Sequence, residues 1–311
     1  MDEMAHGRRD PLGEWHPAHP VGLSPLLWNA VYLAVAGGVW LWATPSREAM
    51  ATWSPGWVAA VALRDVVLLV GWYSLAHLRL FWSRSQGTRC KYNLRWPAVS
   101  AERFAFGSQL RDNLVWTVAS GLPVWVAWEV VTLHLFATGR IPWLGWADNP
   151  VGFVALLAVT PLWREVHVYA VHRLLHWRPV FHAVHRVHHR NTNPVPWSGL
   201  AMHPLEHVVF FSAVVLHWIV PSHPLHALYT SFHLMMAPVP GHAGFDRVAL
   251  TESVSVPTGG YGHYLHHKLL DVNYGDGVLP LDRWFGSLHD GTPEADAALH
   301  RRRAGRAARA A

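Results

Sequence analysis

Nineteen consecutive residues, 26–44 (LLWNAVYLAVAGGVWLWAT), carry no charge. A helix of that length reaches across the hydrocarbon of a bilayer, where every backbone N–H and C=O must be satisfied within the segment itself. Three further apolar stretches follow, at about 57–82, 114–138 and 151–169. The second contains Arg64 and Asp65 and the third Glu129 and His134, groups that lipid tolerates only when they face protein or one another. Composition agrees, since 51% hydrophobic residues, 14% charged residues and 19 Trp depart from a soluble domain. The expected fold is all-α: an integral membrane helical protein with about four transmembrane helices.

Charge sets its orientation. Residues 83–113 hold six cations (Arg84, Arg89, Lys91, Arg95, Arg103 and Arg111), against one each in 45–56 (Arg47) and 139–150 (Arg140). The positive-inside rule makes 83–113 cytoplasmic, and with it the N-terminus and the segment after the fourth span. A helix over 151–176 is about 39 Å long against about 30 Å of hydrocarbon, so its last turns emerge at the cytoplasmic surface. Two apolar runs of thirteen, 208–220 and 225–237, are separated by PSHP and are short for spanning; they are expected to form a membrane-dipping hairpin. The domain reading is a mobile N-terminal tail at 1–24, an N-terminal transmembrane region at 25–149, a catalytic domain at 150–290 and a basic C-terminal tail at 291–311. That last tail carries His300, Arg301, Arg302, Arg303, Arg306 and Arg309 without interleaved aromatics, so solvent or lipid headgroups are expected to face it and no nucleic acid is expected as a partner. Two Lys against 23 Arg point to a GC-rich bacterial genome, and so to a bacterial plasma membrane with the active site on its cytoplasmic side.

Histidines dominate the cytoplasmic part. HRLLH gives His172 and His176; HRVHH gives His185, His188 and His189; HYLHH gives His263, His266 and His267. On a helix, spacings of three and four stack side chains on one face about 5–6 Å apart. Independent draws of 24 His from 311 positions would give the H-x-x-H-H pattern only about 0.14 times per chain, and it occurs twice. Eight such imidazoles would repel one another if protonated, unless a cation replaced the protons. Cys90 is the single cysteine, which excludes disulfides, cysteine zinc modules and iron–sulfur clusters held within this chain, so His and carboxylates must hold any metal. Neutral imidazole suits zinc, copper, iron or nickel, and eight ligands exceed what one ion accepts, implying two metals. His182 and His167 lie near these clusters as weaker candidates. The other histidines, such as His16, His134, His217 and His233, read as solvated or packing side chains.

The clusters stand in a wider series: HRLLH, HRVHH, His203-Pro204-Leu205-Glu206, His242 with Gly244 and Asp246, HYLHH, Asn273-Tyr274-Gly275, and LDRWFGS at 281–287. Over about 150–290 this order resembles the fatty acid hydroxylase superfamily, which includes the sterol desaturase-like proteins. The resemblance implies a membrane-embedded enzyme with two Fe ions that uses O2 and two electrons to hydroxylate or desaturate an unactivated C–H bond of a lipid. It implies the eight clustered histidines as ligands, with His203, His207 and His242 as additions. It gives Glu206 and Asp282 as acidic site residues that orient imidazoles. Many relatives carry Asp where this chain has Glu165. Electrons are expected from a separate ferredoxin, cytochrome or flavin reductase, because the chain lacks a haem-attachment motif, a cysteine cluster and a Gly-rich dinucleotide fingerprint. Two other classes remain open to the residues alone. A metal transporter or storage protein would place ligands at mid-membrane depth, and a zinc-dependent lipid hydrolase would need carboxylate bases among the histidines.

Overall fold

The structure is a computed structural model that describes residues 7–10, 13–17 and 24–310. Four helices are long and apolar enough to cross a membrane. They are α1 (Ser24–Trp42), α2 (Pro55–His77, prolonged by a π-helical turn at Leu78–Trp82), α3 (Gln109–Ala137) and α4 (Pro150–Leu175). Proline stands in the first turn of α2 and α4, where its missing N–H costs nothing, and the Asn149 side chain caps α4 by accepting from Gly152 N at 2.8 Å. As the unbroken apolar run into HRLLH implies, α4 continues to Leu175 and carries His172 in its last turn.

The charged residues inside the spans face protein. Arg64 on α2 donates to Asp65 at 2.9 Å and to Glu129 on α3, and Asp65 and Glu129 are buried. The two short apolar runs form a helical hairpin: α5 (Pro204–Phe211), which continues through short turns to Ile219, and α6 (Pro224–Met236). Nearly every residue of α6 is buried, so helices surround it. Trp125 Nε1 donates to Ser231 Oγ at 2.6 Å, and Tyr73 OH donates to the Met235 carbonyl at 2.9 Å. The hairpin tip meets the loop between α3 and α4, where Ser222 N donates to the Pro142 carbonyl at 3.2 Å and Leu144 N to the Ser222 carbonyl at 2.9 Å. Thirteen residues therefore suffice for α6 because its partners are helices.

The opposite end of the bundle carries the cap, built from 83–108, 176–203 and everything after 237. It contains α7 (Tyr261–Leu269). The chain is mainly helical, as expected, with two small antiparallel hairpins added, β1 (Gly7–Arg9) with β2 (Trp15–Pro17), and β3 (Arg247–Ala249) with β4 (Ser255–Pro257). Described residues of both terminal segments contact the cap. Trp15 is buried against Cys90, Tyr92, Tyr261 and Tyr264, and its N–H donates to the Tyr92 carbonyl at 2.9 Å. The rest of the expected N-terminal tail lies outside the described residues. The basic C-terminal segment is α8 (Pro293–Ala310), anchored by buried Leu299 and by ion pairs of Arg303 (2.5 Å) and Arg306 (3.3 Å) with Asp271. Lys91, counted among the loop cations, is buried, with Nζ donating to the Asn93 and Arg95 carbonyls.

Candidate metal centre

Nine histidines converge in two groups at the cap end of α4. His172, His176, His185, His189 and His266 form one group, and His188, His242, His263 and His267 the other; within each, one ring nitrogen per residue lies within 4.8 Å of all the others. Each H-x-x-H-H motif is divided between them. Its i, i+4 pair (His185 and His189, or His263 and His267) joins one group, while the i+3 residue (His188 or His266) joins the other. Helix geometry accounts for the division, since residues four apart stand nearly one above the other and the residue at i+3 is rotated away by most of a ridge width.

In the five-histidine group the Nε2 atoms of His176, His185, His189 and His266 approach at 3.0 to 3.2 Å, and those in the four-histidine group at 3.0 to 3.3 Å. Two nitrogens bound to one ion at about 2.1 Å with angles near 90–110° lie roughly 3.0–3.4 Å apart. The tautomers point the same way. Nδ1–H donates to a carbonyl in His172 (Tyr274, 2.8 Å), His266 (Val272, 2.6 Å) and His242 (Pro238, 2.9 Å), and to the Glu206 carboxylate in His185 (2.7 Å). A proton fixed on Nδ1 leaves a lone pair on Nε2. Three other Nε2 atoms surround that of His242 at 3.0, 3.2 and 3.3 Å, and one lone pair can accept only one of them as donor. Convergent lone pairs at this distance suit a shared cation. Burial, with adjacent imidazoles adding to it, pushes His176, His188, His189, His263, His266 and His267 below the usual histidine range, and burial pushes His242 down to about 4. At neutral pH all seven are deprotonated, as metal binding needs.

The acidic residues hold this arrangement without entering it. Glu206, in the first turn of α5, orients His185. Asp282 accepts from Tyr274 N (2.9 Å), Gly275 N (2.8 Å) and Ser287 Oγ (2.7 Å), fixing the loop whose Tyr274 carbonyl holds His172. Glu165 accepts from Asp276 N and Gly277 N, both at 3.0 Å, so its longer side chain grips the same loop from α4. Gly275 sits between the two carboxylates: a Cβ there would lie 2.8 Å from Glu165 Oε1 and 3.2 Å from Asp282 Oδ2.

Of the three added ligand candidates, the structure brings in only His242. His203 caps α5, its Nδ1 accepting from Leu205 N at 3.2 Å. His207 has both ring nitrogens engaged, Nε2–H donating to the Leu200 carbonyl at 3.0 Å and Nδ1 bonded to Ser120 Oγ at 2.9 Å. Neither belongs to a group, which corrects the expectation for both. His182 is exposed, and His167 bonds to the Val209 carbonyl at 3.0 Å. The sequence reading missed Arg164, which pairs with Asp276 beside the centre and gave no signal beyond being a cation inside an apolar run.

Two cavities meet at that pair. The smaller, of about 60 Å³, is lined by His172 and His185 of one group, His188, His242 and His263 of the other, and apolar Val168, Val171, Leu175, Met202 and Phe210. The larger, of about 490 Å³, runs from the first turns of α1 to the loop at 273–290 and reaches His263. Arg164, Gly241, His263 and Asp276 line both.

Residues 157–287, which contain all nine histidines, match the fatty acid hydroxylase family. Over 194 residues the chain is 29% identical to lathosterol oxidase of Mus musculus, covering 58% of this chain and 62% of that protein. It is 28% identical over 169 residues to a Delta(7)-sterol 5(6)-desaturase of Gibberella zeae, covering 52% and 49%. It is 29% identical over 128 residues to C-4 methylsterol oxidase of Schizosaccharomyces pombe, covering 39% and 41%. The chain thus spans less than two thirds of the length of these relatives. No solved structure matches it significantly.

Proposed function

We propose, from the match of residues 157–287 to the fatty acid hydroxylase family, that this chain is an integral membrane oxidoreductase, a non-haem di-iron oxygenase that hydroxylates or desaturates an unactivated C–H bond of a lipid. The observation that carries the reading is the pair of histidine groups with inward-facing Nε2 atoms. Five nitrogens would hold one ion and four the other. Iron so held supplies the activation of O2 that attack on such a bond requires.

The chain's own residues do the rest. Glu206 and the Tyr274, Val272 and Pro238 carbonyls fix the rings that present Nε2 inward. Asp282 and Glu165 clamp the 274–277 loop through four backbone N–H hydrogen bonds and so hold the Tyr274 carbonyl that accepts from His172 Nδ1. The small cavity touches both groups; Val168, Val171, Leu175, Met202 and Phe210 give it an apolar wall against which the reacting carbon would pack, with Arg164, Glu206 and Asp276 at its polar side. A lipid enters from the bilayer and brings that carbon to this space.

Electrons come from a separate donor, a ferredoxin, cytochrome or flavin reductase. Cys90, the only cysteine of the chain, is buried, and with Lys91 also buried, Arg84, Arg89, Arg95, Arg103 and Arg111 remain on the 83–113 segment to meet an acidic face. By the positive-inside rule the same arginines support a cytoplasmic position for the cap and the centre. A lipid hydrolase is disfavoured because both groups consist of imidazoles alone, with no carboxylate among the converging ligands. Transport is disfavoured because the groups lie at the cap end of the bundle. The test is metal analysis with turnover: two iron per chain and O2-dependent oxidation support the reading, and zinc with oxygen-independent hydrolysis overturns it.

A further inference from the structure

The 490 Å³ cavity has the size of a small-molecule pocket, and part of its wall is polar where an apolar lipid would gain nothing from polarity. Three groups stand together there. Tyr32 from α1 packs its ring on His233 from α6 at 4.8 Å between centroids, and both line the cavity with Arg164 from α4. All three side chains are buried, and neither His233 Nδ1 nor Arg164 Nε has a hydrogen-bond partner among the described residues. Buried polar nitrogens left this way cost free energy unless something completes them. Their neighbourhood decides the charge of that something. Arg164 is already paired with Asp276, with Glu165 3.8 Å away, so a carboxylate or phosphate would bring an unbalanced negative charge beside them.

We propose that Tyr32, His233 and Arg164 form a receptor for a neutral oxygen head, a hydroxyl or ketone, on the lipid. Arg164 also lines the small cavity between the histidine groups, and His263 lines both cavities, so a head bound here places the oxidised carbon only a few bonds from that oxygen. The receptor selects lipids by their oxygen and orients them for attack near the head instead of along a distant tail. The proposal rests on the oxygenase reading for its catalytic meaning but not for its binding prediction.

The test uses the full-length, iron-loaded protein in nanodiscs and equilibrium binding of three labelled probes: the 3β-hydroxysterol cholestanol, its 3-deoxy counterpart cholestane, and palmitate. Cholestanol is expected to bind roughly tenfold tighter than cholestane, the gain from one or two well-made neutral hydrogen bonds, with palmitate weakest. Tyr32→Phe and His233→Phe are each expected to remove most of that preference while leaving iron content and cholestane affinity unchanged, a pattern that general destabilisation would not give. Equal binding of cholestanol and cholestane by the wild type, tightest binding of palmitate, or an undiminished preference in both variants would overturn the receptor. Failure of the oxygenase reading shows separately, as absence of iron or of O2-dependent lipid oxidation in the same preparation.

Discussion

Replacing Glu206 with Leu isolates one of the two histidine groups. The Glu206 carboxylate accepts from His185 Nδ1 at 2.7 Å, with both side chains buried, and no residue of the four-histidine group bonds to it. A hydrogen bond to a charged acceptor contributes about 1.5–3 kcal/mol, and loss of the partner that orients a metal-binding histidine lowers affinity roughly 10- to 100-fold. Leucine approximates the volume, so the cavity term is small, and the change falls on the orientation and basicity of the His185 ring. The assay is iron retained per chain after equilibration with a graded chelator, read by mass spectrometry of the metal. Wild type is expected to lose its two irons at closely spaced chelator concentrations. Glu206→Leu is expected to lose one iron at a chelator concentration roughly 10- to 100-fold lower and to keep the other. Unchanged retention of both ions, or equal weakening of both, would refute the separation into two groups.

Three other perturbations bear on the account. His188→Ala is expected to abolish activity and lower metal content, whereas His182→Ala, at an exposed ring three residues before His185, leaves both intact; equal effects in activity and metal assays would contradict the assignment. Gly275→Ala puts a methyl group 2.8 Å from Glu165 Oε1, and by displacing the Tyr274 carbonyl it should cut activity at least roughly tenfold while the protein still folds, checked by turnover and thermal melting. Burial, followed by the charge of Arg9, lowers Lys91 to about 7. Above that pH the folded state sheds a proton that the unfolded chain keeps up to the ordinary lysine value of 10.5, so stability rises from pH 7 toward 10.5 and the full penalty acts below 7. The Lys91 part of that rise disappears in Lys91→Met, and a melting temperature with the same pH slope in both proteins would refute it.

The sequence was most informative where chemistry and period coincided. Apolar runs of spanning length marked the four long helices within a few residues, and helical spacing marked eight of the nine converging histidines. Spacing failed where the local backbone changed the meaning of a residue. His203 and His207 stand one turn apart like true pairs, yet Pro204 starts a helix directly after His203 and makes it a cap, while His207 sits beside Ser120 and the Leu200 carbonyl. His242 lies outside any helical repeat and was suggested only by family resemblance. The division of each H-x-x-H-H motif between two groups depends on how α7 and the turn at 185–189 face each other across α4, which is tertiary information. Polarity gave no sign of the contacts that the described terminal residues make. Trp15, a lone large apolar residue in a polar stretch, is the anchor of the N-terminal hairpin, and the alanine- and arginine-rich end is a good helix former whose charges find Asp271.

Anomalous diffraction from crystals of the iron-loaded protein, collected on both sides of the iron edge, tests the central claim most directly. The account predicts two iron peaks per chain, one within bonding distance of Nε2 atoms from His172, His176, His185, His189 and His266, the other amid those of His188, His242, His263 and His267. A single peak shared by all nine rings, or iron bound elsewhere with these imidazoles bonded to one another, would contradict it.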